Sequence, residues 1–545
     1  MNFLEQILTS AQTHAEQPAL SVIDDEGENL VVYSYQELML AASVLLRRLK
    51  KLPNNGEASL RIGLLAGNGP AWVVADLALL LANMVEVPMP LAFTKETAAN
   101  LIAATDFFLV DEKGRARLQQ WGLEKDKKNA LLVDIDALLC DADTDALSYL
   151  QRQQPPKLVD WVCKIIHTSG TTNLPKGVKI RYQGLDSVLQ SLSERSTASH
   201  HQRALSLVPL SLLIEQVSVV YMSLMQGGTL VFSSPNARLL GEKGISAEQC
   251  LQRIANAKAS VLTLTPALVD ALAQKAKELC CSFIENESAG NSADKNTTKR
   301  LNKMLFGVEQ TPLIACGGAP VSSESLAFLQ KHGVSIYEGY GLSENSSVVC
   351  WNSAEANRLG SVGKALSHVQ LKLAGDGELL VKSSSLFAGY SQLDPSACDV
   401  DQDGWLSTGD IAYIDDDDFV FIRGRKKHVI ITANGRNVSP EWLEVSLCCQ
   451  QGVNNAVIVG DGLQKLYALV VTEPETDLAV LHTQLERYGR EFMSDIERPD
   501  EYVFLRADDA RLSECWTITG RPRRDHIKDL VISLTRKESE DAAHA

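Results

Sequence analysis

A chain of 545 residues is too long for one hydrophobic core, so several core units are expected. With 45% hydrophobic and 22% charged residues, its composition is that of an ordinary folded globular protein. A formal net charge of -16 argues against broad nucleic-acid binding and against docking on an anionic membrane, while leaving room for local basic patches.

The first residues, Met1 to Gln17, carry Glu5 and Glu16 and lack a basic start, so no signal peptide is expected. Ser34-Tyr-Gln-Glu37 reads as a capping box opening an amphipathic helix to about Lys51. Arg61 to Ala66 reads as a buried strand, Asn68-Gly-Pro70 as a turn, Ala71 to Met84 as a helix and Val85 to Met89 as the next strand. Asp76 and Glu86 interrupt the longest apolar stretch, Ala71 to Leu91, which therefore reads as a buried helix plus strand and not as a bilayer span. This βαβ alternation predicts a parallel sheet with covering helices.

The alternation recurs. Ala204 to Leu207 is a strand, followed by an apolar helix from about Glu215, Gly227-Gly228 and the strand Thr229 to Phe232. Ser260 to Leu264 is a strand before the helix Pro266 to Lys277. Ser282 to Thr298, polar and rich in Asn, Ser and Glu, is expected to be a mobile surface loop. Pro312 to Cys316 and Val334 to Tyr337 are further strands. After Gly339 the strands shorten and Gly and Asp punctuate them, which predicts antiparallel structure with an exposed turn at Asp415 to Asp418. From about Lys427 a small α+β unit follows: Val429 to Thr432, a helix from Pro440, then strands near Ala456 to Val459 and Tyr467 to Thr472. A domain boundary is expected near Arg425 to Lys427. The 11 cysteines are scattered, with no metal-type C-x-x-C pair, and Cys280–Cys281 and Cys448–Cys449 are adjacent in sequence. A reducing, cytoplasmic compartment is the simplest expectation.

The strongest local signal is Ile165-Ile-His-Thr-Ser-Gly-Thr-Thr-Asn-Leu-Pro-Lys-Gly-Val178. A short apolar strand leads into a loop of hydroxyls, glycines and one lysine. Backbone N–H groups around Gly170, the hydroxyls of Thr168, Ser169, Thr171 and Thr172, and the Lys176 ammonium together suit polyphosphate oxygens. The spacing is not that of a Walker A loop. By composition alone, a polar surface loop after a strand is the competing reading.

This segment resembles the phosphate-binding signature of the adenylate-forming superfamily: acyl-CoA synthetases, luciferases and peptide-synthetase adenylation domains. Asn173 stands where that signature has its second glycine, and Asn tolerates left-handed backbone better than other non-glycine residues. Further motifs follow in the family's order. Gly317-Gly318-Ala319-Pro320 resembles the turn that contacts adenine. Tyr337-Glu338-Gly339-Tyr340-Gly341-Leu342-Ser343-Glu344 resembles the aromatic-plus-acid motif. The resemblance implies that Tyr340 stacks on adenine, Ser343 faces the phosphates and Glu344 holds Mg²⁺, a hard oxygen ligand for a hard cation. Taken singly, Tyr340 would read as a packed core aromatic and Glu344 as a solvated carboxylate. Gly404-Trp-Leu-Ser-Thr-Gly-Asp410 resembles the ribose motif, with Asp410 as acceptor and Arg425 nearby. Lys427 falls at the family's hinge position, and Asn434 to Glu441 resembles the glycine loop that approaches the thiol channel. On composition alone, Arg425 to Lys427 would read as a solvated basic linker.

The resemblance spans roughly residues 20 to 530. It implies an α/β fold: a large N-terminal domain, 1–425, of parallel sheets with covering helices plus a β-rich subdomain, and a small mobile α+β C-terminal domain, 427–545. It implies ATP-dependent activation of a carboxylic acid, a fatty one by the features below, as an acyl-AMP. Transfer to a thiol follows, either CoA or a carrier-protein phosphopantetheine.

Two positions depart from the family's pattern. Where a catalytic lysine usually stands, Trp516-Thr-Ile-Thr-Gly-Arg-Pro-Arg-Arg524 has Arg521. Arginine keeps the charge but places it differently. Either Arg521 acts in the lysine's place, or another lysine such as Lys528 does, or adenylation is impaired and the chain binds nucleotide or acyl ligand without turning it over. In Pro209-Leu-Ser-Leu-Leu-Ile-Glu-Gln216, Leu212 replaces a histidine usual in fatty acyl-CoA synthetases, while Glu215 is kept and favours the fatty-acid branch. Leu212 suits an apolar acyl chain or reads simply as a core leucine at a helix start.

Overall fold

The structure is a computed structural model. It describes all residues except 54–58, 124–129, 144, 153–160, 169–175, 236, 239–244, 287–294, 392–399, 435, 517–521 and 545. The described chain forms two compact units. One comprises Met1–Gly318, Ser325–Leu371 and Val381–Leu406, the other Ala319–Glu324, Lys372–Leu380 and Ser407–Ala545.

The first unit is α/β, built on two sheets. In the nine-stranded sheet the strands run in the order Lys364–Ala365, Ser347–Trp351, Ile336–Leu342, Leu313–Gly317, Val261–Leu264, Arg203–Leu205, Thr229–Ser233, Pro18–Ile23, Asn29–Ser34. Its centre is parallel and its edges antiparallel. The six-stranded sheet runs Ala130–Leu132, Phe107–Val110, Arg61–Leu65, Val85–Pro88, Val162–Thr168, Lys176–Arg181. It is parallel until the last pair, an antiparallel hairpin. Parallel strands are covered on both faces, which is why runs such as Val261–Leu264 are buried throughout instead of alternating.

Local signals set several of these elements. The Ser34 hydroxyl accepts from the Glu37 N–H while the Glu37 carboxylate takes the Ser34 N–H, closing the expected capping box on the helix Tyr35–Leu49. The helix Pro70–Ala82 starts with proline at its first position and ends on Asn83 in the left-handed region. No helix among the described residues is long and apolar enough to cross a membrane. The two acids that break the apolar run, Asp76 and Glu86, both pair with Lys164, and all three side chains are buried. Tyr221 donates its hydroxyl to Asp76 at 2.8 Å. The Glu86 carboxyl is pushed well above its ordinary range by burial, despite the Lys164 charge beside it.

One expectation fails at both ends of its range, while its middle, 287–294, lies outside the described residues. Ser282 to Thr298 is not a loop throughout: the helix Pro266–Asn286 continues past Lys277, and a second helix, Lys295–Phe306, begins inside the polar stretch. Polar composition describes a solvated surface, and a helix packed through one stripe carries such a surface too. The helix expected from Glu215 begins at Leu213 and passes through a π-helical segment, Gln216–Tyr221, before a last α turn at Met222–Met225.

The second unit holds the sheet Val453–Val459, Tyr467–Thr472, Glu501–Arg506, with helices Pro440–Cys448, Leu478–Phe492 and Arg524–His544. Alternate side chains of each strand enter opposite cores. Ile458, Ala468 and Val470 pack with Leu443, Leu447, Leu481 and Leu485. Val457, Leu469 and Val503 pack with Leu512, Ile527 and Val531. Arg524 clamps Glu444 with two bonds, at 2.6 and 2.8 Å. The hairpin Leu406–Ile414 and Val420–Arg425 turns at Asp415–Asp418, where Asp418 takes φ 67°.

Candidate functional site

The loop with the strongest sequence signal lies between two paired strands. Thr168 closes one and Lys176 opens the other, opposite it in antiparallel register. Ser169, Gly170, Thr171, Thr172 and Asn173 lie outside the described residues. What the structure defines is therefore the base of the loop. His167 pairs across with Gly177, and burial lowers its imidazole to about 4, so the ring is neutral.

The outer edge of the strand Lys176–Arg181 takes up a further segment. Lys179 N–H donates to Gly389 O at 3.1 Å, Ala388 N–H to Lys179 O at 2.9 Å, and Ser391 N–H to Gly177 O at 2.7 Å. Glycine at 177 eases this crossing, because a Cβ there would lie 2.2 Å from Ser391 Oγ, which would have to rotate away, and 2.9 Å from His167 Nε2. The same segment holds Glu344. Phe387 N–H donates to the Glu344 carbonyl at 2.8 Å, and the Tyr390 hydroxyl donates to Glu344 Oε1 at 2.9 Å. Lys176 Nζ lies 5.2 Å from the centroid of the same Tyr390 ring, a cation–π contact worth about 0.5–1 kcal/mol. Two residues 168 positions apart, an ammonium and a carboxylate, thus meet one tyrosine.

Glu344 sits in a tight turn, Ser343–Asn345, that follows the strand Ile336–Leu342. That strand carries Glu338, Gly339, Tyr340 and Gly341, and pairs in parallel with Leu313–Gly317, setting Gly317 opposite Gly339. A bulge falls between Tyr340 and Gly341. Only glycine fits at 341, since a Cβ would be 1.7 Å from Ser347 O. Ser346 (φ 54°) and Ser347 (φ 102°) then turn the chain through backbone that side-chain-bearing residues rarely adopt, at an order of 1–3 kcal/mol each. Tyr340 is half-buried, so it is not a core aromatic. Burial raises the Glu338 carboxyl to about 7. Gly318 is exposed with φ 91°, with Ala319 and Pro320 next in the chain, also exposed.

In the second unit, Asp410 and Arg425 face each other across the hairpin, and Arg425 Nε meets Asp410 Oδ1 at 2.8 Å. Asp410 is buried while the arginine is exposed. Gly409 N–H donates to Glu378 Oε1 at 2.8 Å, and Lys426 bridges Glu378 and Asp376. These hydrogen bonds, to Asp376 first, hold the Lys426 ammonium above its ordinary range. Lys427 is exposed in the turn Lys426–His428. His428 Nδ1 lies 2.8 Å from Glu441 Oε1. Burial would push the Glu441 carboxyl up, but the hydrogen bond with His428 holds it below its ordinary value. Arg521 lies outside the described residues. Lys528, the alternative cation, donates to Asp461 O at 2.6 Å.

Leu212 is 44% exposed at the start of its short helix, which removes the core-leucine reading. Glu215 is wholly buried, accepting from Ser206 Oγ at 2.7 Å and Leu207 N at 3.0 Å. Burial raises its carboxyl to about 8. Asn68 ties down the same stretch, bonding Ser206, Val208 and Leu210. Glu215 thus shapes the turn that presents Leu212.

Sequence reasoning missed Tyr390. Its signal was modest: Ala388-Gly389-Tyr390, a glycine and an aromatic after the strand Glu378–Ser383, with Gly389 at φ 85°.

The chain matches the model of the AMP-binding enzyme family over residues 8–391. It is 41% identical over 159 residues to a long-chain-fatty-acid–CoA ligase of Mycobacterium bovis, covering 29% of this chain and 26% of that protein. It is 29% identical over 384 residues to a putative fatty-acid–CoA ligase of Mycobacterium tuberculosis, covering 66% and 65%. The chain thus spans less than two thirds of the length of these curated relatives. Among solved structures it is similar to an anthranilate CoA ligase in complex with anthranoyl-AMP (TM-score 0.76, 17% identity, 97% of both chains). It is also similar to ATP-bound MatB from Rhodopseudomonas palustris (TM-score 0.73, 20% identity, 97% and 100%). At these identities the structural likeness speaks for the fold alone.

Proposed function

From a chain that belongs to the AMP-binding enzyme family, we infer an acid–thiol ligase. It activates a carboxylic acid with ATP as an acyl-AMP, releases pyrophosphate, and passes the acyl group to a thiol. The names of the curated relatives favour a fatty acid and CoA. The observation that carries this reading is the convergence of Lys176 and Glu344 on Tyr390. It sets a cation and an anion together at the start of the strand that follows the hydroxyl- and glycine-rich segment.

A carboxylate is a poor electrophile, and joining it to AMP supplies a good leaving group. The carboxylate oxygen attacks the α-phosphorus, the bond to the bridging oxygen of pyrophosphate breaks, and charge builds on the departing group. Lys176 neutralises that charge, and the loop's N–H groups and hydroxyls orient it. Mg²⁺ fits the donor set, because one carboxylate plus substrate phosphates is its usual coordination. Glu344 would hold it, and its role is to neutralise phosphate charge. Tyr390 keeps the Glu344 carboxylate oriented. Tyr340 offers a flat face to adenine, and Asp410 with Arg425 takes the ribose hydroxyls. Arg521 brings charge to the acid and the α-phosphate. Lys427 is the pivot between adenylation and thiol transfer. Leu212, presented by Glu215, meets an apolar acyl chain. Free, scattered cysteines among the described residues fit a reducing compartment.

The test is acid-dependent pyrophosphate release over a panel of short, long and aromatic acids, on the wild type and Arg521→Lys. CoA and a phosphopantetheinylated carrier protein serve as alternative acceptors. Release with fatty acids and acyl transfer to CoA are expected. Transfer to the carrier protein alone would replace CoA as acceptor. No release from either protein would overturn the activity in favour of ligand binding without turnover.

A further inference from the structure

Behind the Glu344 turn runs a chain of hydrogen bonds, half-buried at His368 and buried at Asn345. Ser191 Oγ lies 2.7 Å from His368 Nδ1, and His368 Nε2 lies 2.9 Å from Ser385 Oγ. Ser385 Oγ donates to Asn345 Oδ1 at 3.0 Å, and Ser383 Oγ donates to the same oxygen. Asn345, fully buried, directly follows Glu344, and its amide N–H donates to Val348 O at 3.1 Å. Ser346 Oγ donates to Ser385 O at 2.7 Å. The chain thus ends on the residues around the two strained positions, Ser346 and Ser347.

The bonds admit one direction that satisfies Asn345, Ser385, His368 and Ser191 together. Asn345 presents its oxygen to the serines because its N–H is engaged with Val348. In that direction Ser385, which also lies 2.9 Å from Ser383 Oγ, gives its single hydrogen to the Asn345 oxygen and accepts from His368. The matching tautomer of His368 carries its proton on Nε2, with Nδ1 accepting from Ser191, which also lies 2.9 Å from Ser367 Oγ.

We propose that His368 is a positioning residue for the Glu344 turn. Its Nε2–H orients Ser385, Ser385 orients Asn345, and the 343–347 backbone is held in the strained form that presents Glu344 to magnesium-bound nucleotide. The placement of the half-buried histidine as a bridge between the buried Ser191 and Ser385 suits this role. Burial also lowers its imidazole to about 4, which keeps it in the neutral form that donates from one nitrogen and accepts at the other. Strained backbone persists where its surroundings over-determine it, and three serines, an asparagine and a histidine do so here.

The inference rests on the proposed nucleotide reading of Glu344, and the experiment separates the two. Calorimetric binding of a non-hydrolysable ATP analogue is measured with Mg²⁺ and again with chelator, on the wild type, His368→Gln, His368→Asn and Ser385→Ala. Glutamine can place an N–H where Nε2 was, and asparagine can reach only toward Ser191. The Asn and Ala variants should bind the magnesium complex about tenfold more weakly, as expected for one lost bond in a buried network, with affinity in chelator unchanged. His368→Gln should restore most of it, and thermal midpoints identify any variant that has simply lost its fold. Equal behaviour of Gln and Asn, or equal losses with and without Mg²⁺, would overturn the role of His368. A wild type that binds the analogue equally with and without Mg²⁺ would instead sink the metal reading of Glu344, and His368's role with it. Absence of pyrophosphate release sinks only the activity, because the binding comparison decides His368 without turnover.

Discussion

Tyr390 donates its hydroxyl hydrogen to Glu344 Oε1 at 2.9 Å, with the Lys176 ammonium over the face of the same ring. One side chain thereby aligns an acid and a base from distant parts of the chain. Its hydroxyl and its ring do separable work.

Tyr390→Phe keeps the ring and removes the hydrogen bond. A bond to a charged group is worth about 1.5–3 kcal/mol, so pyrophosphate release should fall about 10- to 100-fold. Tyr390→Ala should fall further, because the surface under Lys176 is lost too. Initial rates at saturating ATP and acid decide it, and a Phe variant within twofold of wild type would remove Tyr390 from the site.

Lys164 is buried between Asp76 and Glu86 on the strand that leads to the hydroxyl- and glycine-rich segment. Lys164→Met should destabilise the fold by about 3–5 kcal/mol, because it leaves buried carboxylates without their cation. Adding Asp76→Asn and Glu86→Gln should recover most of that loss. Urea unfolding midpoints measure both, and a single variant as stable as wild type would contradict the ion triad.

Stability should fall as pH rises from about 6.5 to 8. Glu215 goes from its usual 4.5 to about 8 on folding, and Glu338 from 4.5 to about 7. Each binds a proton in the folded state that the unfolded chain has already released, so each contribution is complete below 4.5 and disappears as pH passes the folded value. His167, His201 and His368 act in the opposite sense, dropping from 6.5 to about 4, so the unfolded chain takes up protons below 6.5. The two sets oppose each other between 4.5 and 6.5, and only the carboxyls act above. Glu215→Gln, which mimics the protonated acid, should gain about 1 kcal/mol over wild type on going from pH 7 to 8. Thermal midpoints across that range check the sign, and parallel curves would refute it.

Arg521→Ala should slow adenylation about 100-fold or more, while leaving thioester formation from supplied acyl-AMP nearly intact. Lys427→Pro should do the reverse if it is the pivot. Half-reactions measured separately distinguish them, and equal losses in both half-reactions for Lys427→Pro would end its assignment as a hinge.

Much of the fold was legible in the chain itself because its determinants are local. Ser34 and Glu37 cap a helix three residues apart, and Pro70 starts one at its first turn. The run Val261–Leu264 is apolar without alternation because both faces of its parallel sheet are covered. The two ends of the stretch Ser282 to Thr298, 282–286 and 295–298, misled for the complementary reason: composition reports solvation, and a helix packed along one stripe is as polar outside as a loop. Lys176, Glu344 and Asp410 could be proposed from sequence because each stands in a short motif whose residue types suit the chemistry.

What no local pattern held was the pairing between motifs. That Tyr390 meets both Lys176 and Glu344, that Lys164 meets Asp76 and Glu86, and that His368 reaches Asn345 through Ser385 are meetings of residues apart in the chain. A sequence determines residue type, periodicity and turn chemistry over a few neighbours. Which buried donor finds which acceptor is decided only when sheets and loops pack, because an unpaired buried polar group is costly and the tertiary fold alone supplies its partner.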